Sequence, residues 1–75
     1  MNSKTIDLKL SVFQLCSQYP ELIPVMKDLG FTDIVKPGML QTAGRFMTIP
    51  KGAAMKGIDL ELVIATLRER GFDVA

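Results

Sequence analysis

The chain has 75 residues, of which nine are Lys or Arg and eight are Asp or Glu, so its formal net charge is +1. A chain of this length can build only one hydrophobic core, and its near-neutral charge argues against a general nucleic-acid or membrane-surface binder. Its apolar residues are mostly Leu, Ile, Val, Met and Ala, which suit the packing of helices. We therefore predict a single domain over residues 1–75.

The cysteine and histidine content limits the possible chemistry. Cys16 is the single cysteine, so an intramolecular disulfide is excluded, and the lack of histidine leaves no ordinary Cys/His zinc site. Asp7 and Lys9 interrupt the first apolar stretch, so it does not resemble a signal peptide, and no stretch approaches the ~20 apolar residues of a membrane span. We expect a cytoplasmic protein that has no cofactor, binds no nucleic acid and enters no membrane.

The N-terminal part predicts a short extended segment followed by a helix. Residues 5–10 alternate, with Ile6, Leu8 and Leu10 on one side, as in an extended lead-in that packs against a core. Ser11 is a suitable N-cap because its hydroxyl can accept a hydrogen bond from a free backbone N–H in the first turn. The first helix is therefore predicted over residues 11–18.

A second helix is predicted from residue 20, or a little later, to residue 29. Pro20 suits the first turn of a helix, and Gly30 suits its end because glycine adopts the left-handed conformation without a steric penalty. Pro24 leaves the true start of this helix open, since a proline deeper in a helix removes a backbone hydrogen bond. Phe31 is expected to make the hydrophobic contact that follows a helix end, and residues 32–38 read as a loop.

The rest of the chain predicts three more helices. A short one over residues 39–47 has its apolar residues on one side, although Gly44 costs about 1 kcal/mol relative to alanine in a helix. Thr48 can cap the next, over residues 49–56, and Asp59 is the expected N-cap of the last, which ends near Gly71. The predicted fold class is therefore all-α, a compact bundle of four to five short helices with an extended lead-in.

Residues 34–57, which we call the basic middle segment, carry an uneven share of the charge. The segment holds four basic residues and no acidic one, and it contains Met39, Phe46, Met47 and Met55. Methionine fills irregular gaps in a core but also lines adaptable binding surfaces. We predict an exposed apolar groove with a basic rim that contacts a partner protein; its candidate residues are Arg45, Phe46, Met47, Lys51 and Lys56.

Two other interpretations remain open at this level. Arg45, Lys51 and Lys56 could bind a small anionic ligand together with nearby backbone N–H groups. The Lys51-Gly52 and Lys56-Gly57 pairs lie near a possible helix start, but the spacing of a phosphate-binding loop is absent. Cys16 lies on the apolar side of the first helix and is expected in the core, whereas a thiol redox role would need a lowered pKa. Without histidine, the Ser-His-Asp and Cys-His arrangements of acyl-transfer enzymes are unavailable, and we predict no catalytic residue and no enzyme activity.

Several motifs together resemble the small helical domain at the N-terminus of ScdA-type di-iron proteins. They are Thr5-Ile6-Asp7-Leu8, the run from Leu15 to Tyr19-Pro20-Glu21-Leu22, Leu29-Gly30-Phe31, Arg45-Phe46-Met47-Thr48-Ile49 and the run from Ala53 to Leu60. This resemblance covers nearly the whole chain and implies a compact bundle of short helices. In those proteins the domain precedes a hemerythrin-like di-iron domain implicated in the repair of damaged iron–sulfur clusters.

The motifs are also similar to those of a small redox disulfide domain associated with hybrid-cluster proteins. That group carries a cysteine motif in the loop after Gly-Phe, whereas residues 32–38 of this chain contain no cysteine. Cys16 lies elsewhere and does not inherit that role. The resemblance therefore implies an accessory domain whose partner, a hemerythrin-like di-iron or sensor protein, handles iron–sulfur or nitrosative damage.

Overall fold

The computed structural model describes residues 4–75, so the first three residues of the predicted domain lie outside the described residues. The elements follow in the order β1 (Lys4–Ile6), α1 (Val12–Gln18), α2 (Leu22–Leu29), a 3-10 helix (Ala43–Arg45), α3 (Ile49–Lys56), α4 (Leu60–Glu69) and β2 (Phe72–Val74). The predicted class, a compact bundle of short helices, is confirmed.

One hydrophobic core occupies the centre of the described chain. Its fully buried side chains come from every α-helix and from β1, and they include Ile6, Leu15, Leu22, Met26, Ile49, Val63 and Leu67. Cys16 is 3% exposed and belongs to this core, as its position on the apolar side of α1 predicted. Burial of this aliphatic surface is the main force that holds the short helices together, since helices of this length are marginal on their own.

Three of the predicted helix starts are confirmed by their caps. Ser11 forms a capping box with Gln14: the Gln14 N–H donates to the Ser11 hydroxyl at 3.1 Å, and the Ser11 N–H donates to the Gln14 side chain at 3.1 Å. The Thr48 hydroxyl accepts from the Lys51 N–H at the start of α3, and the Asp59 carboxylate accepts from the Glu61 N–H at the start of α4.

The second helix begins at Leu22, so Pro24 is its third residue. An N–H at that position has no partner within the helix, and proline therefore costs no hydrogen bond there. At the other end Gly30 has φ 108°, and the Phe31 N–H donates to the Met26 carbonyl at 2.9 Å, which brings the Phe31 side chain into the core.

The helix predicted over residues 39–47 is wrong. This part of the chain forms a series of turns and the 3-10 helix Ala43–Arg45. Gly44 is buried, and a Cβ added to it would lie 3.1 Å from the Leu40 side chain and 3.6 Å from the Phe13 backbone nitrogen. The Thr42 hydroxyl donates to the Gly38 carbonyl at 2.7 Å. Tertiary packing and this local hydrogen bond thus override a weak helical pattern.

The two ends of the described chain form a parallel two-stranded sheet that the sequence did not predict. Strand β1 pairs with β2 in the register Lys4–Phe72, Thr5–Asp73 and Ile6–Val74. The predicted extended lead-in stops at Ile6, because the Leu10 N–H donates back to the Asp7 carbonyl in a turn. Phe72, which directly follows Gly71, is a buried residue of β2.

Candidate functional site

An apolar groove of about 280 Å³ is open at the surface between the loop that follows α2, the turns before the 3-10 helix, and α3. Its walls consist of Phe31, Asp33, Ile34, Met39, Ala43, Met47, Gly52, Met55 and Lys56. All of these except Asp33 and Lys56 present apolar atoms. We call it the methionine groove, since three of the methionines line it.

The floor of the methionine groove depends on a close approach between α3 and the ring of Phe31. A Cβ at Gly52 would lie 2.9 Å from Phe31 Cε1 and 3.8 Å from Met47 Cγ, so the missing side chain makes room for both neighbours. Phe31 is held there by the end of α2, and Met47 by the hydrogen bond from the Val12 N–H to the Met47 carbonyl at 2.7 Å. The groove therefore rests on the core.

The upper walls of the groove are exposed methionines. Met55, in the last turn of α3, is 75% exposed, and Met39, in the turns before the 3-10 helix, is 44% exposed. Methionine side chains are flexible and polarizable, so they can adapt to the shape of an incoming apolar group. Large apolar side chains left open around a concave surface are typical of an interaction site.

Charged groups stand at one side of the groove. Asp33 lies 3.3 Å from Lys36 Nζ and 3.5 Å from Lys56 Nζ. The pKa of the Asp33 carboxyl lies below its ordinary value. The main cause is the hydrogen bond that Lys36 donates, and the charge and hydrogen bond of Lys56 add to it. These pairs are exposed and add little stability, but they leave the rim of the groove positively charged overall.

The structure brings together only two of the five predicted surface residues. Met47 and Lys56 line the methionine groove. Phe46 precedes Met47 in the chain, is 81% exposed, and is not among the residues that line the groove. Lys51 is exposed in the first half of α3 and is not among the lining residues.

Arg45 lies at a separate place on the surface. Its guanidinium stands 4.7 Å from the centre of the Phe13 ring, a cation–π distance. It borders a shallow depression formed with Ser11, Phe13 and Gln14. Arg45, Lys51 and Lys56 therefore do not line one common concave surface in the described part of the chain, and of these three predicted rim residues Lys56 lines the groove.

The start of α3 offers few donors for an anion. Pro50 has no N–H, the Lys51 N–H donates to the Thr48 hydroxyl, and the Gly52 N–H donates to the Thr48 carbonyl at 2.9 Å. A phosphate site at a helix start needs free N–H groups. Ordinary capping chemistry thus explains the Lys51-Gly52 sequence, and the small anionic ligand remains a prediction with little geometric support.

Burial makes the Cys16 thiol less acidic. It raises the pKa of Cys16 from its ordinary value of 9.0 to about 11. A reactive thiolate needs the opposite shift and an accessible position. The side chain of Cys16 is 3% exposed, so the structure favours the core interpretation over the thiol redox interpretation.

Over residues 4–75, no group of three or more His, Cys, Asp and Glu side chains is arranged to hold a metal ion. None of the helices in that range combines the length and the apolar character that crossing a membrane requires.

Sequence reasoning missed the residues that form the floor of the groove. Phe31, Ile34, Ala43 and Gly52 line it but come from three separate parts of the chain. One local signal was present: a glycine inside the helical pattern of residues 49–56 indicates a close approach of another group. Nothing local identified Phe31 as that group.

The fold and the groove define a small helical domain with an open apolar groove at its surface. The chain belongs to the family described as a domain of unknown function, DUF1858, whose sequence profile matches residues 6–64. It is also similar to the crystal structure of a conserved domain protein from Streptococcus pneumoniae TIGR4, with a TM-score of 0.93 and 25% sequence identity over 100% of this chain and 95% of that chain. No curated protein matches the sequence.

Proposed function

We propose that this domain is a non-enzymatic protein-interaction module of the cytoplasm, and that the methionine groove binds an apolar side chain of a partner protein. The observation that carries this proposal is an open groove of about 280 Å³ whose walls include Met39 and Met55, both exposed. An apolar side chain that enters the groove is removed from water, and the flexible thioethers adjust around it.

The charge of the basic middle segment indicates the kind of partner. Lys36, Arg45, Lys51 and Lys56 belong to the basic middle segment, and Asp33 is the acidic residue at the groove. A partner that carries carboxylates beside its apolar anchor would approach this surface faster and in one orientation. We therefore expect the affinity of the complex to fall as the salt concentration rises.

The biological setting that we propose is iron–sulfur or nitrosative damage, with a hemerythrin-like di-iron or sensor protein as the partner. The support is the resemblance of the Tyr19-Pro20-Glu21-Leu22 and Arg45-Phe46-Met47-Thr48-Ile49 motifs to the N-terminal domain of ScdA-type proteins. The family to which the chain belongs is described only as a domain of unknown function, so the partner has to be identified by experiment.

The first experiment compares two matched substitutions. Met55→Glu places a charge in the wall of the groove, whereas Leu62→Glu places one on α4, outside the lining residues; both positions are helical and exposed, at 75% and 58%. A partner captured from the native cytoplasm should be retained by the wild type and by Leu62→Glu and lost by Met55→Glu. Equal retention by all three proteins would exclude the groove as the binding surface.

A second measurement places the contact on the structure. Methyl-labelled methionine gives one NMR signal for each methionine, and Met39, Met47 and Met55 report on the groove, whereas Met26 is fully buried in the core. Addition of the purified partner should shift the three groove signals and leave that of Met26 nearly unchanged. Uniform shifts, or shifts absent from the groove, would contradict the proposal.

The role of the basic residues outside the groove is tested separately. The double substitution Arg45→Glu/Lys51→Glu reverses two exposed charges that lie outside the groove walls. We expect weaker binding of the same partner and a smaller dependence on salt. If the variant folds and every interaction is unchanged, these two residues are not part of the surface.

A further inference from the structure

The methionines of the described chain differ widely in exposure, and the exposed ones belong to the groove. Residues 4–75 contain four methionines. Met26 is fully buried in the core, and Met47 is half-buried against it. Met39 and Met55 are 44% and 75% exposed, and both line the methionine groove. The two thioethers that a solute in the surrounding water reaches most easily are therefore in the walls of one apolar surface.

We propose that Met39 and Met55 are modification sites that regulate the methionine groove: a peroxide converts both thioethers to sulfoxides, and the groove then loses its affinity for an apolar group. This inference rests on the proposed function, because it concerns how binding at that same groove is controlled. The modification itself can be measured without the partner protein.

The reaction moves one oxygen atom from the peroxide to the sulfur. A lone pair of the thioether attacks one oxygen of hydrogen peroxide, an S–O bond forms and the O–O bond breaks, and the other oxygen leaves with both hydrogens as water. The sulfur loses two electrons, which the peroxide gains.

The reverse reaction needs a dithiol from outside this chain. A methionine sulfoxide reductase breaks the S–O bond, the oxygen leaves as water, and the dithiol supplies two electrons and two protons as it becomes a disulfide. Cys16 does not serve as this reductant, since it is the single cysteine of the chain and is buried. The modification is therefore reversible, but only through a separate enzyme.

Oxidation changes what the walls of the groove offer to an incoming group. A thioether is apolar, whereas a sulfoxide is polar and forms hydrogen bonds with water. Among the side chains that line the groove, Lys56 is the one with a hydrogen-bond donor, and it pairs with Asp33. An apolar group that covers the sulfoxides removes their water without replacing it. Each buried sulfoxide should therefore weaken binding at least about tenfold.

The position of the two methionines separates this modification from general damage. Neither Met39 nor Met55 is part of the hydrophobic core, so their oxidation alters the groove and leaves the packing of the helices in place. Met26 has no exposed surface, and a peroxide reaches it only when the domain opens. A sulfoxide at that position would disrupt the core.

The first test uses the purified full chain and hydrogen peroxide. Mass spectrometry of peptides follows the oxidation of each methionine with time. Met39 and Met55 should be oxidised first, Met47 more slowly and Met26 last, because susceptibility follows exposure. In concentrated urea this order should disappear. Equal rates for all four methionines in the folded protein would overturn the assignment of Met39 and Met55 as the modification sites.

A fluorescent probe measures the effect on the groove. Anilinonaphthalene sulfonate is an aromatic anion that binds exposed apolar surface. After a peroxide treatment that modifies Met39 and Met55 alone, its affinity should fall at least about tenfold, and reduction by a methionine sulfoxide reductase should restore it. A sulfoxide has no net charge, so the attraction between the probe and the lysines is unchanged. Absence of probe binding to the reduced protein, or equal binding after oxidation, would overturn the proposal.

Matched variants assign the effect to the groove. Met39→Leu/Met55→Leu cannot be oxidised at either position, so its affinity for the probe, whatever its value, should be the same before and after peroxide. Adding Leu62→Met to this variant places an exposed methionine on α4, outside the lining residues. That protein should gain a sulfoxide and still bind equally before and after. A loss in either variant as large as in the wild type would place the effect elsewhere and overturn the proposal.

Capture of the partner protein distinguishes this proposal from the proposed function. If Met55→Glu loses the partner but oxidation of Met39 and Met55 does not weaken its capture, the regulation is wrong and the interaction module stands. If Met55→Glu keeps the partner while probe binding still depends on oxidation, the proposed function fails and the groove remains an oxidation-sensitive apolar site. The circular dichroism spectrum and the Met26 methyl signal check that each protein is folded.

Discussion

The ring of Phe31 lies where the side chain of any other residue at position 52 would begin. A Cβ on Gly52 would be 2.9 Å from Phe31 Cε1 and 3.3 Å from Phe31 Cδ1. Phe31 is 2% exposed and is held by the hydrogen bond that ends α2, so it has little room to move. This contact joins α2 to α3 and forms the floor of the methionine groove.

Gly52→Ala should therefore destabilise the domain, although glycine to alanine in a helix usually stabilises by about 0.5–1 kcal/mol. Overpacking of a core typically costs about 1–3 kcal/mol, and we expect that cost to exceed the helical gain. Chemical denaturation measures the change in the free energy of unfolding. The double variant Phe31→Leu/Gly52→Ala should show favourable coupling between the two substitutions, because the smaller side chain makes room for the new methyl group. A Gly52→Ala protein more stable than the wild type would contradict this packing.

The capping box at the start of α1 predicts a difference between two serines of the same segment. Ser11→Ala removes the hydroxyl that accepts from the Gln14 N–H and should cost about 1–2 kcal/mol of unfolding free energy. Ser17 is exposed inside α1 and has no capping role, so Ser17→Ala should change stability by less than about 0.5 kcal/mol. Equal effects of the two substitutions in thermal or urea unfolding would show that the cap contributes nothing.

Burial of Cys16 predicts a loss of stability at alkaline pH. The pKa of the thiol is raised from 9.0 to about 11 in the folded protein, so the neutral form is favoured by folding. The stabilisation of the folded state by the neutral thiol is fully present below pH 9. It is lost as the pH rises, and at pH 11 the free energy of unfolding has fallen by about 2 kcal/mol.

The matched variant for this prediction is Cys16→Ala. Lysine and tyrosine side chains also titrate in the alkaline range, and the variant keeps all of them. The difference in unfolding free energy between the wild type and Cys16→Ala should therefore shrink between pH 9 and pH 11. A constant difference over that range, or rapid alkylation of Cys16 in the folded protein at neutral pH, would contradict its burial.

The C-terminal strand predicts that Phe72 is essential for folding. Phe72 is 3% exposed, packs edge-on against Tyr19 with ring centres 5.9 Å apart, and pairs with Lys4 through the backbone. Removal of a buried phenylalanine side chain costs about 3–5 kcal/mol, a large part of the stability of a domain of this size. Phe72→Ala should lose most of its helical signal at moderate urea concentration, whereas Leu62→Ala, at an exposed position, should not. Similar unfolding curves for both would show that the strand is dispensable.

The starts and ends of the helices could be predicted because they depend on neighbouring residues. Ser11, Thr48 and Asp59 each accept a hydrogen bond from a backbone N–H two or three positions further on, and Gly30 and Gly57 end their helices in the left-handed conformation. Such interactions are complete within a few residues of sequence. The apolar side of the first helix likewise indicated that Cys16 is buried.

The groove could be predicted only in outline. Its methionines and its basic surroundings were visible in the composition of residues 34–57, but the floor joins Phe31 from the end of α2 to Gly52 of α3. The separation of Arg45 from the groove depends on its contact with Phe13. Contacts between residues far apart in the chain leave no local pattern. For this reason only two of the five candidate residues line the groove: Met47 and Lys56 do, whereas Arg45, Phe46 and Lys51 do not.

The sequence by itself determined the helical class, the caps and the buried faces, because each of these follows from short-range hydrogen bonding and from the spacing of apolar residues. The tertiary structure alone decided that residues 39–47 form turns, where Gly44 packs against the Phe13 backbone, and that the two ends of the described chain pair as strands. Burial in a shared core supplies more free energy than the weak local preference of a segment, and that energy depends on which distant surfaces meet.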